Sequence, residues 1–123
     1  MKKIITIICL VLIGFTGQAQ KKRKNAKLTF EVDGVCMMCK KRIEKAALNT
    51  KGVKFANWDV NNHQLMVIID ERKTDKKKVC ESMAKAGHDT KEIKATDEAY
   101  DKLHACCKYR DEEIKEQHQE KQQ

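Results

Sequence analysis

The 123-residue sequence contains no proline and no apolar run long enough to span a membrane as a helix. The longest such run, residues 4–15, covers about twelve residues, whereas a transmembrane helix needs about 20. The sequence also lacks an arginine-rich segment interleaved with aromatic residues, so we predict no nucleic-acid partner. No Ser-His-Asp set, carboxylate pair or phosphate-binding loop stands out, and we therefore predict that the protein is not an enzyme.

The first nineteen residues have the composition of a secretory signal peptide. Lys2 and Lys3 precede the apolar run, and residues 17–19, Gly-Gln-Ala, fit a small-x-small cleavage site. We predict cleavage after Ala19 and a periplasmic or secreted protein that has no stable membrane insertion after cleavage. A retained anchor is the alternative, but the apolar run is too short for it.

The cysteine content indicates sites rather than a disulfide scaffold. Cys9 leaves with the signal peptide, and the remaining cysteines are odd in number and are not spread along the chain as in a disulfide-stapled small protein. An oxidising compartment tends to close neighbouring thiols into disulfides, so a metal role must compete with oxidation. The net charge of +8 fits an acidic protein partner or an anionic surface, but charge alone selects neither.

Hydrophobic periodicity predicts the first half of a small α+β domain. Alternating apolar and polar residues from Lys27 predict a half-buried strand that Gly34 breaks. Helical spacing after Cys39 predicts an amphipathic helix that ends near Gly52. The next two β-rich runs are predicted to form a hairpin turning at two asparagines, because asparagine tolerates positive φ. These runs and their turn are residues 53–60, 64–70 and Asn61-Asn62.

The second half of the domain is predicted to repeat a helix and a strand. Thr74 is the predicted N-cap of the second helix, Gly87 ends it, and residues 89–95 supply a short last strand. The order β-α-β-β-α-β predicts a ferredoxin-like α+β sandwich, with a four-stranded antiparallel sheet and two helices on one face.

These patterns divide the chain into four segments. We predict a signal peptide at 1–19, a basic linker at 20–26, the folded domain at 27–96 and a cysteine-containing extension with a polar tail at 97–123. From Asp111 onward the tail is predicted to be frayed helix or disorder.

The sequence Cys36-Met37-Met38-Cys39 lies where the first strand ends and the first helix begins. Two cysteines three apart at a helix start can aim both sulfurs at one point, and the helix N-terminus and three following basic residues favour the thiolate. A pair of thiolates with few other donors suits Cu(I) or Hg(II) better than four-coordinate zinc. We therefore predict a metal site at Cys36 and Cys39, with Cu(I) the first choice and Hg(II) or Zn(II) as alternatives.

Several features together resemble the heavy-metal-associated domain family, which includes copper chaperones, mercury-binding periplasmic proteins and the metal-binding domains of transport ATPases. The resemblance covers Lys27 to about Lys94. It implies the ferredoxin-like fold and ligation by Cys36 and Cys39. It also implies ion transfer by ligand exchange with the cysteine pair of a partner, such as a transport ATPase or another CxxC metal-binding domain. The features are Gly34-Val35-Cys36-Met37-Met38-Cys39, Ile43, Gly52-Val53 and Ala86-Gly87-His88-Asp89.

The sequence departs from that family at two places. Only Val35 separates Gly34 from Cys36, whereas the family usually has Gly-Met-Thr or Gly-Met-Ser before its first cysteine, so the loop is one residue shorter. His88 stands where many members carry an aromatic residue, in a loop that the fold places beside the metal loop. It is a candidate third ligand, and the alternative is a solvated or hydrogen-bonding histidine.

Three further cysteines lie outside the Cys36–Cys39 loop. Cys106 and Cys107 lie outside the family boundary, between Leu103 and Tyr109, whose apolar side chains could dock the segment on the domain. They are candidate additional ligands that would shift the preference toward zinc, and the alternatives are a structural disulfide or an unpaired tail. Cys80 is predicted to be a core residue.

Two other function classes stay open. One is an exported thiol–disulfide oxidoreductase, and the other is a structural interaction domain with a CxxC disulfide. The absence of proline argues against the thioredoxin type, which places a cis-proline against its CxxC. A c-type haem site needs histidine directly after the second cysteine, and Lys40 is there instead.

Overall fold

A computed structural model describes residues 21–121 of the chain. The signal peptide predicted at 1–19 lies outside these residues. No helix in the described part is long and apolar enough to cross a membrane. The elements are β1 (Ala26–Glu31), α1 (Met37–Leu48), β2 (Val53–Trp58), β3 (Gln64–Ile69), α2 (Lys76–Lys85), α3 (Asp97–Asp101), a 3₁₀ helix (Ala105–Cys107) and α4 (Glu112–Glu120).

The sheet is antiparallel, with the strand order β1-β3-β2. The central strand β3 alternates buried and half-buried residues, and Leu65, Val67 and Ile69 point into the core. Buried side chains of both long helices belong to the same core as these strand residues. The helices α1 and α2 therefore cover one face of the sheet. Their buried residues are Cys39, Ile43, Ala47, Val79, Cys80 and Met83.

The predicted fourth strand at 89–95 is wrong, and the described residues form a three-stranded sheet. Thr90 makes one isolated antiparallel bridge with Val32, and the chain then turns. The Thr90 amide donates to the Ile93 carbonyl at 2.9 Å, and the Ile93 amide donates to Thr90 Oγ1 at 3.1 Å. Because side chains and a local turn satisfy these backbone groups, the segment does not extend along β1.

The hairpin between β2 and β3 forms, but its turn differs from the prediction. The positive φ, 60°, is at His63 and not at Asn61 or Asn62. The Asp59 carboxylate instead accepts a hydrogen bond from the Asn61 amide at 2.7 Å. An Asx turn therefore starts the reversal, and the residue in the left-handed region comes at its end.

The ends of α2 were predicted with one error. The N-cap is Asp75, whose carboxylate accepts from the Lys78 amide at 2.9 Å, and not Thr74. The helix ends as predicted before Gly87, which has φ of 95°. A Cβ at Gly87 would lie 2.8 Å from the Ala99 carbonyl oxygen, so the extension passes closely over this corner.

The C-terminal extension, residues 97–121, folds back on the domain. Leu103, Cys107 and Tyr109 are buried members of the hydrophobic core. The tail, which was predicted to be frayed helix or disorder, forms the helix α4, and Asp111 caps it by accepting from the Glu113 amide at 3.0 Å.

Candidate metal centre

The loop that leads into α1 is shaped by Trp58. The buried indole Nε1 donates to the Val32 carbonyl at 3.0 Å. A Cβ at Gly34 would lie 2.9 Å from Trp58 Cζ2 and 3.1 Å from Cys39 Cβ, so this close passage requires glycine. The loop thereby places Cys36 directly before the first turn of α1, where its thiol makes no capping hydrogen bond.

Four thiols converge at this point. Cys36 Sγ lies 3.4 Å from Cys39 Sγ, 3.2 Å from Cys107 Sγ and 3.9 Å from Cys106 Sγ. The sulfurs of Cys106 and Cys107 are 4.0 Å apart. The structure thus brings both cysteines of the CxxC loop together with both cysteines of the extension. We refer to Cys36, Cys39, Cys106 and Cys107 as the thiol cluster.

The thiol cluster is covered except at one side. Cys36, Cys39 and Cys107 are buried, and Cys106 is half-buried. Cys106 Sγ approaches the thioether sulfur of the exposed Met38 at 3.4 Å. An ion therefore has a sulfur-lined approach past Cys106 and Met38.

The charges around the cluster differ from the simple expectation. Lys40 was expected to favour the thiolates, but its ammonium group donates to the Glu44 carboxylate, the Asn57 side chain and the Trp58 carbonyl. Burial raises the pKa of Cys107 well above its usual value, and hydrogen bonding to Cys39 and Cys36 raises it further. Cys107 therefore keeps its proton until an ion or another partner replaces it.

His88 is fully buried and lies outside the thiol cluster. Its Nδ1 is 2.8 Å from the Asp33 carbonyl, so Nδ1–H donates, and the buried Nε2 has no hydrogen-bond partner. Burial lowers the pKa of His88 to about 4, against the hydrogen bond to Asp33, which raises it. The neutral ring thus links the corner after α2 to the metal loop by this hydrogen bond. It also stacks on the ring of Tyr109, with ring centroids 5.5 Å apart.

Tyr109 and Arg110 fix the position of the extension. Tyr109 Oη donates to the Gly87 carbonyl at 2.7 Å and accepts from the Asp89 amide at 3.0 Å. The Arg110 guanidinium makes two hydrogen bonds to the Asp89 carboxylate, at 2.8 and 3.1 Å. Burial opposes ionisation of Asp89, but the hydrogen bonds from Arg110 and the Ala95 amide hold its pKa below the usual value. We call these contacts of Tyr109 and Arg110 with residues 87–89 the clamp.

Sequence reasoning missed the ionic half of the clamp. Tyr109 was expected to help dock the extension, and Asp89 was named as part of the family resemblance, but no contact between Arg110 and Asp89 was predicted. The sequence signal for this ion pair is one basic and one acidic residue, and 36% of the residues in the chain are charged, so opposite charge does not identify the pair. The remaining predicted residue, Cys80, is in the core away from the thiol cluster, and burial raises its pKa.

The fold and the sulfur donors at the start of α1 are those of a class of small domains that bind soft metal ions. Residues 29–89 match the family model described as the heavy-metal-associated domain, so this part of the chain belongs to that family. No curated protein sequence matches the chain.

Solved structures agree with this assignment. The CopZ metallochaperone is 27% identical with a TM-score of 0.51, over 53% of this chain and 98% of that one. The N-terminal soluble domains of Bacillus subtilis CopA are 26% identical with a TM-score of 0.51, over 58% of this chain and 48% of that one. A copper-binding domain from HMA7, a P-type ATPase, is 25% identical with a TM-score of 0.50, over 51% and 86%.

Proposed function

We propose that this protein is an exported Cu(I)-binding protein that holds the ion on Cys36 and Cys39 and carries or sequesters it through ligand exchange. The observation that supports this most is the placement of the two sulfurs 3.4 Å apart at the start of α1, inside the segment that matches the family. A carrier of this kind turns over no substrate.

The choice of Cu(I) follows from the donors. The thiol cluster offers sulfur only, and the thioether sulfur of Met38 lies 3.4 Å from Cys106 Sγ. Soft thiolates and thioethers favour Cu(I), whereas oxygen donors that would suit harder ions are not part of the cluster. One of the similar structures is described as a copper-binding domain of a P-type ATPase. Hg(II) and Zn(II) are the competing ions.

Ligand exchange defines the partner chemically. An incoming thiolate forms a new metal–sulfur bond, a bond to one protein cysteine breaks, and the ion keeps its oxidation state. A partner with its own cysteine pair can complete this exchange in two steps. We therefore propose a second CxxC metal-binding domain, such as that of a transport ATPase, as the partner.

The test is a competition for Cu(I) under anaerobic, reducing conditions. The mature protein, residues 20–123, is expected to take one Cu(I) per chain from the coloured chelate with bathocuproine disulfonate, and to prefer Cu(I) to Zn(II). The Cys80→Ser variant serves as a control for the number of thiols and should behave like the parent. Failure of the parent to take Cu(I) from the chelate, together with reduction of a disulfide substrate, would indicate the oxidoreductase instead.

Export is the second part of the proposal, and it depends on the pattern of residues 1–19. Expression in a Gram-negative host followed by intact-mass measurement of the periplasmic fraction should give a chain that starts at Gln20 or its cyclised form. Accumulation of the full-length chain in the cytoplasm would contradict export.

A further inference from the structure

We infer that the C-terminal extension, residues 97–121, closes the metal site by supplying Cys107 as a third thiolate ligand beside Cys36 and Cys39. This inference rests on the proposed function, because it concerns the same ion. It adds a ligand from a segment outside the family match, which ends at residue 89. The match to CopZ, which spans 98% of that chain, uses only 53% of this one.

The sulfur separations fit a site with more than two thiolates. With metal–sulfur bonds of about 2.3 Å, two sulfurs on opposite sides of an ion would be about 4.6 Å apart, and three in a plane about 4.0 Å apart. The sulfur of Cys36 lies within 3.2 to 3.9 Å of the other three. The separations of Cys36 from Cys39 and from Cys107 are therefore somewhat shorter than those in a three-thiolate shell, and small outward shifts would admit the ion.

Cys107 is held in place by the fold of the extension. It ends the 3₁₀ helix, where its amide donates to the His104 carbonyl at 2.8 Å, and its carbonyl accepts from the Tyr109 amide at 2.7 Å. The clamp then anchors Tyr109 and Arg110, two and three residues further along the chain, on the corner after α2. A ligand that is fixed before the ion arrives loses little conformational entropy on binding.

Binding of the ion by Cys107 replaces the thiol proton and involves no redox change. The Cys107 thiol releases its proton to solvent, one metal–sulfur bond forms, and no electron is transferred. Because three thiolates must then be displaced in place of two, the ion is retained more strongly against a competing chelator. The half-buried Cys106, beside Met38, is the first sulfur that an incoming thiolate meets.

X-ray absorption at the copper edge tests the inference on the Cu(I)-loaded mature protein. We expect at least three sulfur neighbours per copper in the parent and one fewer in Cys107→Ala. The affinity of that variant should fall by at least about 10- to 100-fold, which is the loss when a residue that only supports a ligand is removed. The matched control, Cys80→Ala, also removes a buried thiol and should keep the coordination number of the parent.

The outcomes separate this inference from the proposed function. Two sulfur neighbours in the parent, with Cu(I) still bound, would overturn the third ligand and leave the proposed function intact. A Cys36–Cys107 disulfide that remains after treatment with a reductant and loading with Cu(I) would overturn it as well. Absence of Cu(I) binding by the parent would instead reject the proposed function. An unchanged coordination number in a folded Cys107→Ala would also overturn the inference, because Cys106 would then be the third ligand. Cys107→Ser repeats the measurement where the alanine variant does not fold.

Discussion

Replacing both loop cysteines, in the Cys36→Ser, Cys39→Ser variant, is expected to weaken Cu(I) binding at least about a thousandfold, or about 4 kcal/mol. The substitution removes two metal–sulfur bonds and leaves Cys106 and Cys107 as the thiols of the cluster. Serine oxygen is a hard donor and does not replace a thiolate for a soft ion. Competition with bathocuproine disulfonate measures the change.

The order of the single variants gives this prediction further detail. Cys36 Sγ lies within 4 Å of all three other sulfurs, so Cys36→Ser should weaken binding more than Cys39→Ser. Cys80→Ser makes the same atomic change at a buried thiol outside the cluster, and it should leave the affinity unchanged. Thermal unfolding of each metal-free variant shows whether a loss of binding reflects a loss of folding. Tight binding by a folded double variant would move the site to Cys106 and Cys107.

The elements from β1 to α2 could be predicted because each has a strong periodic pattern. Leu65, Val67 and Ile69 alternate along β3, and Ile43 and Ala47 recur four residues apart along α1. Burial of one face is enough to decide such elements, since the pattern and the core agree. Their ends were less certain, as the cap at Asp75 shows.

The segment after α2 could not be predicted in the same way. Residues 89–95 were predicted to form the last strand, but the Asp89 carboxylate accepts from the Ala95 amide at 2.7 Å and the Thr90 hydroxyl accepts from the Ile93 amide. Hydrogen bonds from side chain to backbone compete with a sheet ladder, and hydrophobic periodicity does not register them. Arg110, from the extension, also holds Asp89 in this arrangement.

The two halves of the thiol cluster differ in how far sequence reasoning reaches. Cys36 and Cys39 are three residues apart at a helix start, so local geometry alone brings their sulfurs together. Cys107 is separated from Cys36 by 71 positions, and its place depends on the clamp and on the packing of Leu103 against Gly87. Cys106 and Cys107 could therefore be predicted as candidate ligands, but their proximity to the metal loop could not be predicted from the sequence.

Acidification should destabilise the metal-free, reduced protein through His88. Between pH 7 and pH 4 the free energy of unfolding is expected to fall by about 3 kcal/mol on account of this side chain, at 1.36 kcal/mol for each unit by which its pKa is lowered. The buried ring has a pKa of about 4, whereas the same side chain in the unfolded chain titrates near 6.5. Urea unfolding at a series of pH values measures the change.

The sign follows from where the proton binds. Below about pH 6.5 the unfolded state takes up a proton on His88, and the folded state does not until the pH approaches about 4. Stability is therefore full above pH 6.5 and is lost as the pH falls toward 4. Burial raises the pKa of Asp33, which opposes this trend at the acidic end, and the lowered pKa values of Asp70 and Asp89 act below it.

The His88→Gln variant separates His88 from these carboxylates. Glutamine has no titrating group and can still donate to the Asp33 carbonyl, so stability at pH 7 should fall modestly while the slope between pH 4.5 and 6.5 flattens. His104→Gln makes the same exchange at an exposed position and should keep the slope of the parent. An unchanged slope in His88→Gln would mean that the ring is hydrated or protonated in the folded state. His88 would then not be the neutral side chain that links the corner after α2 to the metal loop through its hydrogen bond to the Asp33 carbonyl.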